Sequence, residues 1–313
     1  MAKQPIFAVG GENLIDHVTH DGQVSAKVGG SPFNVAIGLG RLGAQVRYLS
    51  PISTDPWGGM LAAALTSSGV ALTGGRIDLP TTMARVEINQ GIPSYQFERE
   101  GTAERAITET DILARIADAD VVHTGSLTLT KGPDADAWEA GLAKAYEAGV
   151  FVSLDPNVRS SVVVDSVAYR ARILSMALAA SLIKLSDEDL GELYPEMEQD
   201  AALAAFCQHT SAPLVVLTRG AEGASGFLGE TRVDIQAAPV PKLVDAVGAG
   251  DTFMANLLDG LAERNALSAP ALRAISQDDL GALLRRASLA ASINCGREGC
   301  NPPTRAELLE AAV

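Results

Sequence analysis

The chain has 313 residues, and 24 Lys and Arg against 38 Asp and Glu give a formal charge of −14. With 47% hydrophobic and 4% aromatic residues, it is too apolar for a disordered chain, and no apolar stretch reaches the roughly 18–20 residues a membrane span needs. The acidic balance speaks against nucleic acid or a lipid surface as partner, because both call for clustered Lys and Arg.

The opening residues, MAKQPIFAVGG, lack the longer apolar region of a secretory signal, so a cytoplasmic protein is expected. Residues 6–9 read as a first buried strand. Residues 16–28 alternate apolar and polar around Asp21-Gly22, the pattern of a hairpin exposed on one face. Gly29-Gly30-Ser31-Pro32 is a tight turn into a helix over 34–42. A strand at 46–49 and a helix at 58–68 follow, and then a second alternating hairpin over 82–98 around Gln90-Gly91. Beyond it, short Val/Ile/Leu runs at 121–123, 151–154, 182–185 and 214–218 are interleaved with helical segments. Those segments are 134–148, 168–179, 199–209, 250–264 and 277–293. Continuous apolar runs of this length suit strands buried on both faces, and their alternation with helices predicts a layered α/β fold around a mostly parallel sheet. Ligands of such sheets bind beyond the carboxyl ends of the strands. The two hairpins, at about 12–28 and 82–102, are expected to pair into a small β-sheet lid within one domain of 1–313. Cys207, Cys295 and Cys300 read as buried thiols of a reducing compartment.

The segment richest in chemistry is Asp245-Ala246-Val247-Gly248-Ala249-Gly250-Asp251-Thr252-Phe253. Gly248, Ala249 and Gly250 leave backbone amides open to a ligand and lead into a helix N-terminus, where an anion is favoured. Asp251 then stands in the first turn, within reach of both a phosphate and a hydroxyl whose proton it accepts. The same helix position is expected to lower its pKa. No G-x-x-x-x-G-K-[ST] occurs, and no G-x-G-x-x-G follows the first strand, which speaks against a P-loop and against a dinucleotide-dependent oxidoreductase.

DAVGAGDTFMA, together with Gly29-Gly30-Ser31-Pro32-Phe33-Asn34-Val35-Ala36, resembles the paired signatures of the ribokinase-like, or PfkB-type, carbohydrate kinases. The resemblance covers essentially the whole chain. It implies the ribokinase-like three-layer fold and an ATP-dependent sugar kinase using Mg²⁺, with Asp251 as base and Gly248, Ala249 and Gly250 as the anion hole. Asp155-Pro156-Asn157-Val158-Arg159 resembles DPNxR, and Arg159 would stabilise the transferring phosphoryl group. Asp16, Gly30 and Asn34 would contact sugar hydroxyls, and Phe97 and Arg99 would close over the sugar from the second hairpin.

Lys184, Ser186, Thr218, Gly220 and Gly223 are implied around ATP. In Ser186-Asp187-Glu188-Asp189 the family's N-x-x-E is altered at both ends. Asp189 stands where the glutamate would serve Mg²⁺ through water, with Asp187 and Glu188 as alternatives. Asp245, the Val247 carbonyl, Asn294, Arg297 and Gly299 match a loop pair that holds K⁺ in several relatives. The signatures and the lid segment 97–103 look most like fructokinases. Kinases of 2-keto-3-deoxygluconate or ribose are the nearest alternatives, and a non-catalytic sugar-binding protein is the rival of a different class. The exposed face of the lid sheet could pair two copies as a homodimer.

Overall fold

In chain order the first strands are β1 (Ile6–Val9), β2 (Leu14–His20), β3 (Gln23–Gly29), β4 (Gln45–Tyr48), β5 (Ile52–Ser53), β6 (Ala71–Leu72), β7 (Arg76–Ile77), β8 (Thr82–Asn89) and β9 (Ile92–Glu98). They are followed by β10 (Val121–Gly125), β11 (Phe151–Asp155), β12 (Leu182–Ser186), β13 (Leu214–Thr218), β14 (Ala224–Leu228) and β15 (Thr231–Ile235). The helices are α1 (Ser31–Arg41), α2 (Pro56–Ser67), α3 (Glu109–Ile116), α4 (Pro133–Glu147), α5 (Ser166–Ala177) and α6 (Asp187–Leu193). The last five are α7 (Gln199–His209), α8 (Ala249–Glu263), α9 (Ala269–Arg273), α10 (Gln277–Cys295) and α11 (Arg305–Ala311). This computed structural model describes residues 4–20, 23–89 and 92–311. The turn pairs expected at Asp21-Gly22 and Gln90-Gly91 lie outside the described residues.

The central sheet has nine strands in the order β15-β14-β13-β12-β11-β10-β1-β4-β6. Its pairs are parallel except where β14 and β15 extend one edge antiparallel. β10 and β11 are buried at every position, which is why their sequences run apolar without alternating. One face packs against α1, α8 and α10 through Phe33, Leu257 and Leu283. The other packs against α3, α4, α5 and α7 through Ile112, Trp138, Ile173 and Phe206. Three layers result, as the alternation of elements requires.

The two hairpins form a second sheet in the order β3-β2-β8-β9. They are joined by parallel pairing of β2 with β8, from Leu14 opposite Thr82 to Thr19 opposite Glu87. At its base Leu14 and Ala84 pack with Leu127, and Phe97 lies against them. Leu127 follows directly on β10, so the small sheet is seated at the carboxyl ends of the central strands. Among the described residues no helix is long and apolar enough to cross a membrane.

Candidate active site

The carboxyl edge of the sheet, α1 and the start of α8 converge on Asp251. Gly248 is the N-cap of α8 and is left-handed, with φ 74° and ψ 6°. A Cβ there would stand 2.3 Å from Cys300 Sγ, so glycine is required by conformation and by space alike. With no side chain on the cap, the first-turn amides face outward as an anion site. Asp251 is buried, and its two oxygens are held from α1. Ser31 Oγ donates to Oδ1 at 2.7 Å and Asn34 Nδ2 donates to Oδ2 at 2.7 Å.

Burial pushes the Asp251 carboxyl up, although the hydrogen bonds from Asn34 and Ser31 and the charges of Lys184 and Arg159 pull it back. The expected lowering by the helix end is therefore corrected. Desolvation by α1 and the sheet outweighs the dipole, and a more basic carboxylate results, better matched to accepting a proton.

Beneath the turn, Lys184 from β12 donates to Asp155 Oδ2 at 2.8 Å, and both side chains are buried. Burial pushes Asp155 up to about 6, and the adjacent Lys184 charge pulls it back. Lys184 Nζ would lie 3.2 Å from a Cβ on Gly250, which places a cation at the floor of the anion hole. Arg159 is exposed on the crevice side. It donates to the Val158 carbonyl at 3.1 Å, and its charge reaches both Asp16 and Asp251.

Asp16 lies where β2 enters the lid. Burial pushes it up to about 6, opposed by Lys27 and Arg159. Its carboxylate runs close beneath Gly29, where a Cβ would stand 2.5 Å from Oδ2. Gly30, with φ 112°, would bring a Cβ within 2.3 Å of the Glu12 carbonyl. The structure thus gathers Asp16, Gly30 and Asn34 around the entry of α1, and Asn34 connects them to Asp251.

Glu12 was not foreseen. It is buried, and Oε1 accepts from the Ser31 amide at 3.0 Å while Oε2 accepts from Thr128 Oγ1 at 3.0 Å. A single acid in a loop carries no signal of such a role in the sequence. Ser31 was visible only as part of the glycine turn.

Arg99 corrects an expectation. Its guanidinium does not stand free over the crevice but is buried at the lid base. Nε donates to Glu104 Oε1 at 2.8 Å, Nη1 to the Leu127 carbonyl at 2.8 Å and Nη2 to Asp134 Oδ2 at 3.4 Å. Swinging it toward a sugar would leave Glu104 buried without its cation, a cost of several kcal/mol, while Asp134 would keep only Arg105 at 2.9 Å. Asp189, the residue expected to serve Mg²⁺ through water, is anchored at the start of α6. Val158 N donates to its Oδ1 at 2.6 Å and Ser186 N to its Oδ2 at 2.7 Å, so both oxygens serve backbone amides. Ser186 Oγ accepts from Asp189 N at 3.0 Å, completing a helix cap.

Thr218 ends β13, and its hydroxyl faces the Leu185 carbonyl at 3.4 Å. Gly220 and Gly223 both have positive φ in the loop that follows. Asp245, Val247, Asn294 and Gly299 do meet. Gly299 N donates to Asp245 Oδ2 at 2.9 Å and Asn294 Nδ2 to the Val247 carbonyl at 2.8 Å. The Arg297 guanidinium turns away to Glu307 at 2.7 Å, so what this residue has to offer the expected K⁺ loop is its backbone carbonyl.

A carboxylate at an uncapped helix N-terminus, set at the carboxyl edge of a parallel sheet and overhung by a small β-sheet, defines an α/β phosphotransferase acting on an alcohol group. The model of the pfkB family carbohydrate kinases matches residues 10–307, and the chain belongs to that family, with its ribokinase-like fold. It is 38% identical over 264 residues to a fructokinase of Rhizobium leguminosarum bv. trifolii, covering 82% of this chain and 80% of that one. It is 31% identical over 314 residues to probable fructokinase-4 of Arabidopsis thaliana, covering 95% and 94%. Among solved structures, the fructokinase of Xylella fastidiosa with bound ATP superimposes with a TM-score of 0.89 at 25% identity, covering 98% and 97%.

Proposed function

We propose that the protein transfers the γ-phosphoryl group of ATP to the terminal hydroxyl of fructose, giving fructose 6-phosphate. The observation that carries this reading is Asp251, a buried carboxylate in the first turn of an uncapped helix. It accepts the hydroxyl proton while the amides of Gly248 to Asp251, with Lys184 beneath them and Arg159 beside them, offset the charge on the phosphoryl group. Asp16, Gly30 and Asn34 receive the sugar hydroxyls, and Thr218, Gly220 and Gly223 border the nucleotide. Among the described residues no group of three or more His, Cys, Asp or Glu gathers to hold a metal. Mg²⁺ would be held by few protein carboxylates and mainly by phosphate oxygens, whose charge it would neutralise. K⁺ beside Asp245 and Val247 belongs to the same reading.

The sugar itself rests on the similarity to fructokinases. A coupled ATP-consumption assay over fructose, 2-keto-3-deoxygluconate, ribose, tagatose and adenosine tests it. Fructose is expected to give the highest kcat/KM. A higher value for another acceptor would replace fructose and keep the kinase, and turnover of none would leave the non-catalytic rival standing.

A further inference from the structure

We infer that Ser31 is a positioning residue for the phosphoryl-transfer base, fixing one oxygen of Asp251 so that the other meets the acceptor. This rests on reading Asp251 as that base. The two side chains that hold Asp251 are not equivalent. Asn34 reaches Oδ2 from one turn further along α1, through a longer side chain, and its backbone amide donates to the Gly30 carbonyl at 2.9 Å. Ser31 is the first residue of α1 and is followed by Pro32. Its hydroxyl sits one bond from a Cβ whose backbone is anchored twice over.

The Ser31 amide donates to Glu12 Oε1 at 3.0 Å, and Glu12 Oε2 is in turn held by Thr128 Oγ1 at 3.0 Å. On the other side Gly30 is pressed against the Glu12 carbonyl in a left-handed turn that a side chain could not enter. Glu12, Ser31 and Asp251 are all buried. A chain of fixed contacts thus runs from the central sheet, where Thr128 follows β10, through Glu12 and Ser31 to Asp251 Oδ1. A carboxylate oxygen accepts more than one hydrogen bond, so Oδ2 can take the acceptor hydroxyl and its proton while Oδ1 stays on Ser31. The hydroxyl also favours the charged carboxylate, keeping the base unprotonated to lower pH than burial alone would allow.

Ser31→Ala, Ser31→Cys and Ser31→Thr, with Asp251→Asn as control, test this by steady-state kinetics on fructose and ATP across pH. Thermal melting tracks the fold. Ser31→Ala is expected to lower kcat by about tenfold, since a hydrogen bond to a charged group is lost, with KM for the sugar within about twofold. The acid limb of its kcat profile should move to higher pH, because losing the donor raises the pKa of the base. Ser31→Thr keeps the hydroxyl and should restore most of kcat and the wild-type limb, and Ser31→Cys, a weaker donor of similar volume, should fall between. Unchanged kcat and an unmoved acid limb in Ser31→Ala, with Asp251→Asn inactive, would overturn the role of Ser31 and leave the base in place. An active Asp251→Asn would overturn the base itself, and Ser31 with it.

Discussion

Helices α6 and α8 both begin at the carboxyl edge of the central sheet, and both carry aspartate as their third residue, Asp189 and Asp251. Their fates differ because of the residue at the cap. Ser186 caps α6, so Asp189 folds back to the Ser186 amide while the serine hydroxyl takes the Asp189 amide, and the helix end is closed upon itself. Gly248 caps α8 in a left-handed turn with no side chain to offer. Its first turn remains open, and Asp251 turns to Ser31 and Asn34 instead. The same acid at the same helical position is a structural cap in one case and a base beside an anion hole in the other. An acid in a first turn identifies a ligand site only when the cap residue leaves the turn unfilled.

The most direct way to break this contrast is Asp251→Asn. It keeps the shape of the side chain but removes the charge and the proton acceptor, and one of the two donors, Ser31 or Asn34, must reorient to face the new amide NH₂. kcat is expected to fall by roughly 10²–10⁴-fold, the usual worth of a general base, with a melting temperature close to that of the parent protein. A turnover within about tenfold of the parent would place the base elsewhere.

A second variant makes α8 resemble α6. Gly248→Ser installs the cap that α6 has, but at a φ of 74° and against Cys300 Sγ. The left-handed turn alone costs about 1–2 kcal/mol for a residue with a Cβ, and displacement of Cys300 adds to it. With the first turn shifted, kcat should fall by about 10²-fold, the effect of moving reacting groups by around 1 Å. Stopped-flow or coupled kinetics beside a thermal melt separates the two losses. Activity retained at the parent level would show that the open turn is not what binds the phosphoryl group.

Much of this was legible in the sequence, for identifiable reasons. Strands such as β10, β11 and β13 are buried on both faces, so burial alone sets their composition, and the helix pattern of 199–209 coincides with α7. The hairpins showed their alternation and were expected to share one small sheet, but that β2 and β8 join them in parallel is a pairing of segments far apart in the chain, which no local pattern encodes. The strands β14 and β15 were not foreseen. In β14 the missing side chain of Gly226 lets Leu280 and Leu284 of α10 approach the sheet, a contact between distant segments.

Around the site, the glycine turn and Asp251 were visible because their backbone demands restrict residue choice. The pKa direction of Asp251 was not, because it is set by what α1 buries. Arg99 misled for a similar reason. A cation on a hairpin is indistinguishable in sequence from one aimed at a ligand, until the fold brings Glu104 and Asp134 to it.

The smallest effect belongs to the closed helix. Ser186→Ala removes the hydroxyl that holds the Asp189 amide and leaves Asp189 with half of its reciprocal pair. Loss of such a cap costs about 1 kcal/mol, which for a chain of this size is a fall in Tm of roughly 2 °C. Because Asp189 also fastens the Val158 amide, the neighbour of Arg159, the loosening extends toward the crevice. kcat should nevertheless fall far less than in Gly248→Ser. A comparison of melting and turnover in the two variants is therefore decisive. If Ser186→Ala lost turnover as severely as Gly248→Ser while melting within a few degrees of the parent, the cap of α6 would itself face the phosphates, and the division between a closed and an open helix end would fail.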